Sequence, residues 1–158
     1  MQKIGIYTMG LQCYWAQFDG LRERLLSYGK FIASKVEAMG ASVYYYGLVD
    51  CEEEGHKAGE YFVSNHVDLI LAHSGTYVTS ASILPVHQIC KAMTVILNLQ
   101  PAARIDYEKQ TTGEWLAHCG ACPVPELTNA HFTRAGHPLP DCQWPSGPSR
   151  NTGNISHK

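Results

Sequence analysis

The sequence predicts an α/β domain built on a doubly wound, all-parallel sheet. Three observations predict it. Four short runs are rich in β-branched and aromatic residues and almost continuously apolar, as strands covered on both faces are. Amphipathic stretches lie between them. The connections are long enough for helical crossovers, which parallel strands require, and much longer than hairpin turns.

The first run, Lys3–Met9 (KIGIYTM), is the first strand. After it, Leu21, Leu25, Tyr28, Ile32, Val36 and Met39 recur at intervals of three and four, which puts one apolar stripe on a long helix. Gly40 stands where a helix commonly ends. The second strand is Ala41–Leu48 (ASVYYYGL), and its three tyrosines read as sheet packing. Asp50-Cys51-Glu52-Glu53 has the form of a capping box. In this reading the Asp50 carboxylate accepts from the first free amides, and Glu52 to Glu54 suit the positive helix end. Ala58, Tyr61 and Phe62 give this helix its buried side. Val67–His73 (VDLILAH) is the third strand, 81–90 a shorter helix near or kinked at Pro85, and Met93–Leu99 (MTVILNL) the fourth strand.

Right-handed crossovers favour the flavodoxin-like strand order 2-1-3-4, with helices on both faces. Ligands of such sheets bind where the winding reverses, at the carboxyl ends of strands one and three. Those ends carry Gly10-Leu11-Gln12-Cys13-Tyr14-Trp15 and His73-Ser74-Gly75-Thr76-Tyr77. Aromatic faces there suit C–H surfaces, and Gln, Ser, Thr and His suit hydroxyls.

The chain has 158 residues, 45% of them hydrophobic, and a formal net charge of −2. That is one domain with a sizeable core and no basic stripe for nucleic acid. No apolar run approaches the roughly 20 residues of a membrane helix. The start enters a strand without a signal-peptide pattern, so a cytoplasmic location is expected. Cys13, Cys51 and Cys90 read as reduced thiols. The organisation expected is a folded domain over residues 1–135 and a disordered tail over 136–158, where four of the eight prolines fall. Residues 137–144 have a codon assignment that, read one base later, gives the strand-like Ile-Pro-Tyr-Gln-Ile-Val-Ser-Gly. A frameshifted tail is therefore one reading of the change in composition.

Other motifs have dull and functional readings side by side. Only Gly10 follows the first strand, so neither glycine-rich phosphate motif is present. Residues 74–82 (SGTYVTSAS) read as a polar loop or as a flavin-phosphate cradle. Cys119 and Cys122 form a C-x-x-C that reads as two plain thiols, a redox dithiol, or half of a zinc site. A free-standing small-ligand module and a C-x-x-C redox protein both remain as alternatives.

Three segments together resemble the L-fucose/L-arabinose isomerase family. Gly10–Trp15 is similar to its Gly-Ser-Gln-His-Leu-Tyr loop, and His73–Tyr77 to its His-Thr-Phe loop. Asn98-Leu99-Gln100-Pro101 followed by Ala117-His118-Cys119-Gly120 is similar to its Gln and Ala-His-Gly segments. The resemblance spans about residues 3 to 135. It implies an amino-terminal domain that packs in a homo-oligomer and helps line a neighbouring subunit's sugar site. Gln12, Tyr14, Trp15, His73, Tyr77 and His118 would be the sugar contacts. Cys13 stands where the family has His, and Trp115 roughly where it has Gln, so the sugar is left unnamed. The family interconverts aldose and ketose at a divalent metal, usually manganese, held by glutamates and histidines. By the same resemblance those ligands lie beyond this chain, so the fragment is expected to bind no metal and to be inactive alone.

Overall fold

A computed structural model describes residues 1–102 and 105–118 of the chain. The expected tail, Cys119 and Cys122 lie outside the described residues. The elements run β1 (Lys3–Met9), a 3-10 turn (Gln12–Tyr14), α1 (Leu21–Ala38), β2 (Ser42–Val49), α2 (Glu52–Ser64), β3 (Leu69–Ser74), α3 (Ser80–Ile89), β4 (Met93–Leu97) and α4 (Thr112–Leu116). The four strands are all parallel, in the order β2-β1-β3-β4. The predicted fold class and strand order are those observed. β2, β3 and α3 begin or end one or two residues from the expected positions, and β4 stops at Leu97 rather than Leu99.

The sheet separates two cores. Tyr7, Met9, Val49, Ile70 and Ala72 point to the face covered by α2 and α3, where they meet Ala58, Phe62, Ile83 and Val86. Leu48 points to the other face and meets Leu21 and Leu25 of α1 and Leu116 of α4. Fully burying a side chain such as Leu25 or Phe62 contributes roughly 1.5–3 kcal/mol. Met39, which the stripe assigned to the buried side, lies past the last turn and is exposed. Gly40 follows it with φ +91, the left-handed step that ends the helix.

Two glycines set how closely α2 and α3 approach. A Cβ on Gly55 would collide with the backbone carbonyl of Ser82, and one on Gly59 would lie 2.9 Å from Ile89 Cβ. One turn apart on α2, they let it lie directly on the backbone of α3. Pro85, inside α3, is buried in the same core.

β2 carries an irregularity that its residue pattern does not announce. Ile6 pairs with Tyr45 but Tyr7 pairs with Gly47, so Tyr46 is an extra residue. Gly47 takes φ +113, which a side chain would resist. The extra residue reverses the alternation. Tyr44 and Tyr46 face α2, Leu48 faces α1, and Val49 returns to the α2 core.

The predicted capping role of Asp50 is not what forms. The N-cap of α2 is Cys51, with no side-chain cap bond. The Asp50 carboxylate instead accepts a 2.6 Å hydrogen bond from Trp15 Nε1. Either donor would give a charge-assisted bond, and the fold commits this buried carboxylate to the indole. Glu52, Glu53 and Glu54 do occupy the first turn of α2. Glu53 and Glu54 also bridge to Lys57, and Glu54 accepts from the Tyr46 hydroxyl at 2.7 Å.

Candidate functional site

The β1–β3 register places Met9 beside Ser74, so the segments that follow leave the sheet at the same edge. Gly75 passes so close over β1 that a Cβ there would lie 2.8 Å from the Met9 carbonyl. The Gly10–Trp15 and His73–Tyr77 segments are thus neighbours at the switch point.

The six predicted contact residues have different fates. The Trp15 ring folds over Gly10, where a Cβ would lie 2.8 Å from the indole, and its nitrogen is committed to Asp50. Tyr14 meets Phe18 edge-on, with centroids 5.8 Å apart. The Gln12 side chain is exposed, while its amide donates to the Asp50 carbonyl at 3.3 Å. Tyr77 is half-buried in the middle of the β3–α3 connection. His118 is buried just after α4, and its Nδ1–H donates to the Glu114 carbonyl at 2.6 Å. His73, 3% exposed, forms part of a cavity wall.

That cavity, a groove of about 520 Å³, opens between α1 and the chain leaving β4. Ser27, Tyr28, Phe31 and Ile32 form the α1 side. Leu99, Gln100 and Pro101 form the opposite side, and His73 and Ala117 complete the lining. The size falls within the range of ordinary small-molecule sites. No lining residue carries a fixed charge. Burial pushes the His73 imidazole down to about 4, so it is neutral at pH 7. Its Nδ1 lies 3.3 Å from Thr8 Oγ1. The groove can therefore offer aromatic faces together with hydroxyl, amide and imidazole hydrogen-bonding groups, to a ligand without net charge.

Several of these residues escaped the sequence reading. Tyr28 was assigned to an apolar stripe, yet it borders the groove. Phe31 lies off the stripe and is 61% exposed, and a large aromatic out of phase with its helix is the signal that could have found it. Gln100 was legible only through its resemblance segment. His87 was passed over. It is buried in a chain of its own, with Nε2 3.0 Å from the Tyr7 hydroxyl and Nδ1 3.1 Å from Thr94 Oγ1. That chain ties α3 to β1 and β4, and burial raises the Tyr7 phenol well above its ordinary value.

Among the described residues, no group of three His, Cys, Asp or Glu side chains could hold a metal ion. Cys13 is exposed, Cys51 half-buried and Cys90 buried, all as free thiols. Among the described residues no helix is long and apolar enough to cross a membrane. No protein-family model matches the chain, and no curated protein matches it.

Proposed function

We propose that this chain is the sugar-contacting α/β domain of an aldose–ketose isomerase of the L-fucose/L-arabinose type. It binds a neutral polyol in the groove beside His73, packs against further subunits, and leaves metal-dependent chemistry to residues outside its length. The observation that carries this reading is the character of the groove. It is aromatic on the α1 side and free of fixed charge, and it places His73, Tyr28, Ser27 and Gln100 around one space at the carboxyl ends of β3 and β4. Alternating C–H faces and hydroxyls of a sugar match that mixture. A dinucleotide or flavin phosphate would instead call for cations or a glycine-rich turn, and neither lines this groove.

The test is saturation-transfer NMR on the 158-residue chain with L-arabinose, L-fucose and flavin mononucleotide. Saturable sugar signals are expected, weakened about 3- to 10-fold by His73→Leu through loss of one hydrogen bond. Binding of the flavin nucleotide with no sugar signal would overturn the reading.

A further inference from the structure

The two edges of the sheet differ. The order β2-β1-β3-β4 leaves β2 and β4 each with one unpaired side among the described residues. β2 is spoiled for further pairing by the extra Tyr46 and the left-handed Gly47, a protection that edge strands commonly carry. β4 has no such break and keeps a regular register with β3. Its five residues, MTVIL, include no charge, proline or glycine. Thr94 and Ile96 turn to the α2–α3 side, where Thr94 Oγ1 lies 3.1 Å from His87 Nδ1 and Ile96 packs on the core. Met93, Val95 and Leu97 therefore turn to the α1 side. Met93 is 51% exposed, and the other two are half-buried.

The course of the chain leads away from this open edge. α1 joins β1 to β2 across one face, and α3 joins β3 to β4 across the other face, stepping in the opposite direction. Both steps have the same hand. α4 lies on the α1 face, with Leu116 and Ala117 against Leu21, Leu25 and Leu48. A return of that hand through α4 runs toward β2, not past β4. A second copy meets no such obstacle. We propose that β4 pairs antiparallel with β4 of a second copy about a two-fold axis at Val95, joining two four-stranded sheets into one. In that register Val95 faces the partner's Val95, Met93 the partner's Leu97 and Thr94 the partner's Ile96. Lys91 falls opposite the partner's Leu99, so no charge meets its own copy. A strand that meets itself needs such a self-complementary row, and apolar cross-strand pairs hold it. The pairing gives a surface to the subunit packing proposed above and rests on no ligand.

Light scattering during size-exclusion chromatography of the full chain reads its mass. A concentration-dependent rise from 17.5 kDa to twice that value is expected. A single 17.5 kDa species at every concentration overturns the pairing, and saturable sugar signals from that monomer would leave the polyol reading standing. Val95→Lys sets two ammonium groups directly against each other and should hold the chain monomeric. Val95→Glu should do the same, and an equal mixture of the two variants should restore the dimer. A dimer that neither substitution affects refutes pairing at β4, and a mixture that stays monomeric counts against it. Amide hydrogen exchange on the unmodified chain needs no variant. Protection of the Met93–Leu97 amides that do not bond β3 should grow with concentration. Full protection of those amides in the monomer would show that the chain covers its own edge, and would overturn the pairing.

Discussion

His73 makes the fold sensitive to acid in a way that can be isolated. Its imidazole is 3% exposed and titrates near 4, against 6.5 for an unburied histidine. Above pH 6.5 the ring is neutral in both the folded and the unfolded chain, and it adds no pH dependence. Between 6.5 and 4 the unfolded chain takes up a proton that the folded one refuses, so stability falls as pH falls. From pH 7 to pH 5 the gap amounts to about 2 kcal/mol from this one ring. Urea denaturation followed by circular dichroism at both pH values measures the total change, to which other histidines contribute. His73→Gln cannot titrate, so the difference between the two slopes isolates His73. The variant should lose about 2 kcal/mol less than the unmodified chain between those pH values. Identical losses would refute the claim that burial keeps this ring neutral.

Two further perturbations test the packing around the switch point and between the helices. Trp15→Phe removes the 2.6 Å donor to Asp50 and should cost about 2 kcal/mol in urea denaturation. Trp15→Phe combined with Asp50→Asn should cost clearly less than the sum of the two single changes, and strict additivity would show that the pair is not coupled. Gly55→Ala should lower the melting temperature. The gain in helix propensity is about 1 kcal/mol, but the new methyl group meets the Ser82 backbone, which cannot rotate away. A higher melting temperature would mean that α2 and α3 do not pack as closely as described.

The architecture was legible because each strand is an apolar run of nearly the right length, and because Leu21, Leu25, Ala58 and Phe62 keep helical spacing. Features that arise only across the fold were not. Asp50 looked like a cap because its neighbours in sequence are a helix start, whereas its partner, Trp15, is 35 residues away. Gly55 and Gly59 carry no signal in the sequence, and their role shows only where α3 lies against them. The switch-point segments were placed at the right edge by topology. Of the six residues named for contact, His73 lines the groove, while the Trp15 nitrogen is taken up within the protein. The groove itself joins the middle of α1 to the segment after β4, two stretches some 70 residues apart, and no local pattern links them.

The unpaired Tyr46 has a consequence well beyond its own strand. A strand keeps a two-beat rhythm, and one added beat exchanges inside for outside from there onward. Because of it Leu48 lands beneath α1 and Val49 lands on the opposite side, and the chain then runs straight into the aspartate that holds the indole of Trp15. Had the strand kept strict time, those last residues would have been dealt to the opposite layers. The glycine after the extra tyrosine is thus a phase setter, and the lid of tryptophan over the end of β1 depends on it although it stands three residues before the aspartate that holds the ring.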